Sequence, residues 1–458
     1  MALGNEIVGE ELQGTSDTII FEDENTPLSQ LKPAVRKALT EFRCKVEEAI
    51  IGNYILGWST STCECCMPDQ NHTKAHEHGI SLWGVPLLPR KGHERTDIVL
   101  MKFLRARDYN VHEAFEMLQK TLKWRKEFNM DGILDETYEP ELEIVGYSDG
   151  TDKEGRPLSY VRYELFQDIN LFRKLFKMNG KKEQLLRWRI QQLEKVIGKL
   201  DFKNGGVDSV IIILDMKNSP AGPPELRNVA RKLLFSIYPE YYPEIIFRLV
   251  FINVPIWSYA LYNVFSKVLS QRAKSKFVIT RPRKSAKTLL KYIAPENLPV
   301  KYGGFKRENE EEFSTEDQVS ELYLRGGLTN GIEIAIAEPG ETVVWDLTVI
   351  GWDVSYKEEF VPDDECSDII TIRPEQKLEA NVRSSCYIRE PGKILLTVHN
   401  DTSKKKRVLY RFKNKHNVVN PDLYNNSVSG VAQGLIRQKC GSRGENDEVF
   451  DMYPPIFF

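Results

Sequence analysis

The stretch VDSVIIIL, residues 207–214, decides the fold class. Its last five residues, Val210 to Leu214, are apolar without alternation. A half-exposed strand alternates apolar and polar side chains. An unbroken run rich in β-branched residues marks a strand covered on both faces, as in a parallel sheet between helices. Further extended runs lie on either side: Leu158 to Tyr163 before it, Leu249 to Val254 and Phe277 to Thr280 after it. Helical periods separate them. Val111, Phe115, Leu118 and Leu122 mark one helix face; Leu186, Ile190, Leu193, Ile197 and Leu200 mark another. Strands alternating with helices predict an α/β domain that ends near Phe305.

Outward from this domain the composition changes. Residues 1 to about 30 carry Glu6, Glu10, Glu11, Asp17, Glu22, Asp23 and Glu24, with no Lys or Arg before Lys32, which predicts a disordered acidic tail. A short helix is expected over Pro33 to Ala49. Residues 52–92 read as a linker or insertion holding Cys63, Cys65, Cys66, His72, His76 and His78. Crowded cysteines without paired C-x-x-C knuckles are poor zinc ligands, so no bound metal is expected there. On the other side, Glu308, Glu310, Glu311 and Glu312 read as an acidic linker. Beyond it come extended runs broken by turns: Ile332 to Ala337, Thr342 to Tyr356, Ile369 to Arg373, Lys393 to Val398 and Val408 to Lys413. These predict a small antiparallel sandwich of ~90 residues. After Lys415 the pattern dissolves into polar, glycine-containing sequence, expected to be disordered.

The chain of 458 residues is too long for one core. Its net charge of −3 excludes a globally basic nucleic-acid binder, so attraction to phosphate must come from local patches. Seven cysteines, an odd number, suit a reducing compartment better than a disulfide framework. Met1 to Glu11 has acids and no base, unlike a signal peptide, and no run of ~18 apolar residues occurs. The expectation is a cytoplasmic protein that meets membranes reversibly. No G-x-S-x-G elbow, P-loop, H-E-x-x-H or G-x-G-x-x-G occurs, so an enzyme is not expected.

The run VPIWSYALYNVFSKVL, residues 254–269, is apolar on more than one face, with Lys267 its only charge. The pattern alone fits a buried core helix. It also fits a lid, with Trp257, Tyr259, Leu261, Phe265 and Leu269 lining an acyl-chain cavity or touching a bilayer. Residues 272–291 then hold eight bases and no acid, which favours the lid and an anionic headgroup. A second basic cluster, Lys404, Lys405, Lys406 and Arg407, follows the turn residues Asn400 to Ser403. It reads either as a charged strand edge that discourages pairing with another chain or as a contact with an anionic membrane surface.

Several of these stretches resemble known sequence. FLRARDYNVHEAFEML (103–118), DKEGRP (152–157), YYPE with FINVP (241–244 and 251–255) and PENLPVKYGG (295–304) resemble CRAL-TRIO lipid-binding domains, in the same order and spacing. VVWDLTVIGWDVSYKEEFVP (343–362) and GKILLTVHNDTSKKKRVLYRF (392–412) resemble a plant GOLD domain. Together with WGVPLL (83–88) the chain is similar to the patellin family. The resemblance implies a multidomain protein: an acidic tail, short helix and Cys/His linker at 1–82, a helical N-terminal lobe at 83–140, an α/β CRAL-TRIO domain at 141–306, an acidic linker at 307–331, an all-β GOLD sandwich at 332–415 and a tail at 416–458. It implies no cofactor beyond a bound phospholipid, phosphatidylinositol or a phosphoinositide, with Arg107, Asp152, Glu244 and Lys276 at the headgroup. It also implies peripheral action at a plasma membrane or cell plate, in vesicle traffic and plant cytokinesis, with trafficking proteins met through the GOLD domain. This sequence departs from the pattern at Asp108 and Ala273, where a Lys and a Thr are usual. Val210 and Ile212 replace the hydroxyl residues of choline-binding members, which argues against phosphatidylcholine exchange.

Overall fold

The computed structural model describes residues 27–57, 79–89, 92–168, 170, 181–218, 224–255, 271–336, 338–379 and 381–416. Helices α1 (Pro33–Ile51), α2 (Glu94–Ala106) and α3 (Val111–Glu127) pack together as an N-terminal lobe. Helix α1 buries Leu39, Phe42, Val46 and Ala49, the stripe that a 3.6-residue period places on one face. It is therefore part of the lobe rather than an appendage to a tail. Asn110 starts α3 by accepting the amide N–H groups of His112 and Glu113, and its own amide donates to Glu113 Oε1 at 2.9 Å. Before α2, Ser81–Leu82 pairs with Val85–Pro86, and Trp83 stacks beside Phe103, Phe202 and Tyr242.

The α/β domain is a five-stranded sheet of simple order: β1 (Gly146–Thr151), β2 (Pro157–Arg162), β3 (Val210–Asp215), β4 (Ile246–Ile252) and β5 (Phe277–Ile279). β1 runs antiparallel to β2, and all other pairs are parallel. Every residue of β3 is buried, as the apolar run requires. Val210, Ile212 and Leu214 join the core containing helix α4 (Lys181–Ile197), while Ile211 and Ile213 face a second core with Leu289 and Leu290 of α7 (Ser285–Tyr292). Between these helices in sequence lie α5 (Pro224–Lys232) and the short α6 (Gln271–Lys276).

The C-terminal domain is a sandwich of two antiparallel four-stranded sheets. Its strands are β6 (Ser320–Leu324), β7 (Thr329–Ile336), β8 (Glu341–Ile350), β9 (Ser355–Pro362), β10 (Ile370–Lys377), β11 (Val382–Tyr387), β12 (Gly392–His399) and β13 (Lys406–His416). The sheet orders are β11-β8-β13-β6 and β10-β9-β12-β7. Three details differ from the sequence reading. The run Thr342 to Tyr356 is two strands, because Gly351, Trp352 and Asp353 all take positive φ and break it. Strand β11 carries no clear apolar alternation and was not foreseen. The acidic stretch 307–331 is not a free spacer: it contains β6, and Glu310 accepts hydrogen bonds from Arg383 at 2.8 and 2.7 Å.

The two domains share a junction. Phe305 and Leu409 are fully buried in one cluster, and Arg411 donates to the Phe305 carbonyl at 3.2 Å. Asp346, with no exposed surface, is paired with Arg307 at 3.1 Å, Arg383 at 2.7 Å and Arg411 at 2.9 Å. Gly303 and Gly304 lead into it. Gly303 has φ of +92°, and a Cβ on Gly304 would lie 2.1 Å from the Leu298 carbonyl oxygen, so the chain passes only because that atom is missing.

Candidate functional site

Parallel strands that start level with one another bring the residues before them to one edge. Arg156, Asp208, Glu244 and Lys276 immediately precede or nearly precede β2, β3, β4 and β5, so the amino edge of the sheet is a row of charge. Helix α2 lies along it. Lys102, fully buried, donates to Asp208 at 2.9 Å and to the Glu244 carbonyl oxygen at 3.1 Å. Burial pulls its ammonium pKa down, and Asp208 pushes the other way.

Glu244 is the centre of this edge. The two tyrosines before it are anchored: Tyr241 stacks on Trp124 with centroids 4.3 Å apart, and the Tyr242 hydroxyl donates to Glu194 at 2.7 Å. Glu194 in turn pairs with Arg125 at 2.7 Å. The chain then turns through Glu244 at φ of +55°, a conformation that residues with a Cβ rarely adopt. Arg272 and Lys276 stand one turn apart on α6 and meet the same carboxylate oxygen at 3.2 and 2.9 Å. Burial alone would raise the Glu244 carboxyl; Lys276 and Arg272 outweigh it and hold the group at about 2. The carboxylate stays ionised at any physiological pH, an acceptor between two donors.

Of the expected headgroup residues, Glu244 and Lys276 come together. Arg107 does not join them: it caps the end of α2, half-buried, with its guanidinium donating to the Ala106 carbonyl at 3.3 Å. Asp152 is not among the partners of Glu244. Its carboxylate is engaged inside its own turn, accepting the backbone N–H groups of Glu154 and Arg156 at 2.9 and 2.7 Å and the Arg156 guanidinium at 2.9 Å. Such an Asx turn uses most of the acceptor capacity of the carboxylate. Arg272 was missed as a partner, although it stands in the acid-free run. The lid residues Trp257, Tyr259, Leu261, Phe265 and Leu269 lie outside the described residues, as do Cys63, Cys65, Cys66, His72, His76 and His78.

The basic cluster of the sandwich is not one patch. Lys404 and Lys405 are exposed, with the Lys405 ammonium 4.3 Å from the centre of the Tyr323 ring. Lys406 is buried and donates to the Gly351 carbonyl at 3.0 Å, and Arg407 is paired with Glu321. The turn before them is held by buried Asn400, which accepts the Thr402 N–H and donates to the Lys404 carbonyl at 2.8 Å. Among the described residues, no helix is long and apolar enough to cross a membrane.

Family models match in three places: "CRAL/TRIO, N-terminal domain" over residues 54–120, "CRAL/TRIO domain" over 143–304 and "Patellin-1-like, C-terminal GOLD domain" over 325–406. Patellin-3 of Arabidopsis thaliana is 40% identical over 400 residues, 86% of this chain and 77% of that protein. The chain belongs to the patellin family. Patellin-4 of the same plant is 46% identical over 351 residues, and this patellin chain covers 76% of its own length but only 64% of Patellin-4 in that match. The phosphatidylinositol transfer protein SFH5 of Debaryomyces hansenii is 27% identical over 266 residues, 55% of this chain and 75% of that protein. The patellin domain pair supports lipid binding in the coarse sense.

Proposed function

We propose that this protein holds one anionic phospholipid, phosphatidylinositol or a phosphoinositide, and presents or transfers it at a cytosolic membrane face. The observation that carries the reading is the Glu244–Arg272–Lys276 cluster at the sheet edge. A carboxylate flanked by two bases offers acceptors to ring hydroxyls and donors to phosphate. Arg107 has no ion pair among the described residues, so its charge adds to the attraction. The resemblance to a phosphatidylinositol transfer protein agrees in ligand class. Residues 254–269 serve as the lid in this reading. Lys404 and Lys405 supply a membrane contact, and the family points to vesicle traffic at the cell plate.

The test is native mass spectrometry of the purified full chain. A co-purifying phosphatidylinositol species, exchanged by added vesicles, is the expected result; lipid-free protein that takes up none from vesicles overturns it. A second reading, a trafficking adaptor with a vestigial cavity, is favoured by one feature. Ile369, Ile370 and Tyr387 are each more than half exposed on the sandwich, with Asp363, Asp364, Glu365 and Asp368 close by in sequence. Protein capture by the sandwich alongside an empty cavity would favour that reading.

A further inference from the structure

We propose that the cleft between α2 and the loop Lys203–Asp208 binds a phosphate-bearing anion at a position separate from Glu244. The cleft encloses about 310 Å³, near the lower bound for small-ligand sites. Arg105 lines it from α2, only 7% exposed, and its Nε has no hydrogen-bond partner. A guanidinium buried to that degree without a counter-charge is costly, so its surroundings call for an anion. The acids that line the cleft do not answer it, because each already has a cation. Asp208 is bonded to Lys102 at 2.9 Å, and Glu154 to Arg156 at 2.5 Å. Lys203, on the opposite rim, is exposed and makes no ion pair among the described residues.

Two unopposed cations facing one small cleft suit a dianion better than a single carboxylate. The guanidinium fork and the ammonium offer a phosphate several donors at once. The cleft also has apolar lining: Ile98 and Met101, on α2 with Arg105, and Leu28, whose backbone N–H donates to Asn204 Oδ1 at 3.1 Å. A phosphate carried on a small ring or chain fits this mixture of charged and apolar lining. It comes either as a ring phosphate of a membrane phosphoinositide or as a soluble inositol phosphate. Lys102 lies between this cleft and the Glu244 cluster, so occupancy here does not rest on the lipid reading above.

The full chain is titrated calorimetrically with inositol trisphosphate and with inorganic phosphate. It is also sedimented with phosphatidylcholine vesicles with or without ring-phosphorylated phosphatidylinositol. Saturable binding of the trisphosphate is expected, weakened about tenfold by Arg105→Gln and by Lys203→Gln, each of which removes a charged donor. Sedimentation that depends on the ring phosphate and is reduced by the same variants identifies a membrane source. Trisphosphate binding without that dependence identifies a soluble one. Phosphatidylinositol transfer is expected to be unchanged in Lys203→Gln. If Arg105→Gln fails to fold by circular dichroism, Lys203→Gln decides, because it lies on an exposed loop. The proposal is overturned if neither trisphosphate nor phosphorylated vesicles bind. It is also overturned if Lys203→Gln binds as the parent does, or if its lipid transfer falls in parallel and the cleft proves part of the headgroup site.

Discussion

Glu244 is the residue on which the most can be tested. Replacing it by Gln removes the charge that holds Arg272 and Lys276, and replacing Lys276 by Ala removes one donor. Each change is expected to weaken phosphatidylinositol binding by about tenfold or more while the circular dichroism spectrum stays that of the parent. Transfer of radiolabelled phosphatidylinositol measures it, and parental transfer in both variants would discard the headgroup assignment. The pH dependence has a definite sign. The folded value of about 2 lies below the ordinary 4.5. Stability linked to this carboxylate is therefore complete above about pH 4.5 and is lost as pH falls towards 2. A carboxyl carbon resonance of Glu244 that titrates near 4.5 would contradict the clasp. At this scale the sequence was only partly legible. Glu244 and Lys276 were found through a family resemblance, and α6 then sets both bases on one face. Asp152 was placed by the same resemblance, and its letter does not say whether it closes a turn, meets a headgroup or does both. Only the backbone N–H groups that point at it reveal the turn role.

Among the elements, β3 was legible and the strands of the sandwich less so. A strand buried on both faces has no choice but to be apolar throughout, so its composition announces it. Strands β8 and β9 ran together in the reading because Gly351-Trp352-Asp353 carries no Pro and no Asn-Gly pair; the turn comes from three successive positive φ angles. Strand β6 hid in an acidic stretch because its sheet edge is exposed and needs few apolar residues. The start of β13 divides a cluster that the sequence presents as four equal bases. Lys406→Ala is expected to cost about 1–3 kcal/mol, since its ammonium bonds the Gly351 carbonyl just after β8. Lys404→Gln with Lys405→Gln is expected to leave the melting temperature unchanged and to reduce sedimentation with anionic vesicles at low salt. Thermal unfolding and vesicle pelleting of the two variants check both halves. If the double variant pellets as the parent does, these lysines act only as a charged edge.

For the whole molecule, the junction decides whether the α/β domain and the sandwich behave as one body. Asp346 holds three arginines, one from the connecting segment and two from the sandwich, and Arg411 reaches back to Phe305. Asp346→Asn leaves those guanidinium groups without their shared counter-charge, and the expected loss is about 3–5 kcal/mol. Calorimetry should then show two transitions where the parent shows one; a variant that melts as the parent does would mean the junction carries no coupling. Composition could not reveal this, since four glutamates within five residues read as a spacer until the partners of Glu310, Arg383 and Arg411, are placed beside it from 73 and 101 positions away. The shared burial of Phe305 and Leu409 also bears on how such a protein is inherited. Two modules joined by a passive tether can be exchanged by recombination, each with its surface already complete. Here Leu409 of the sandwich completes the α/β domain's core beside Phe305. A foreign sandwich grafted after Gly304 would have to bring residues that do what Phe305, Arg307 and Leu409 do here, so this pair of domains is expected to exchange poorly.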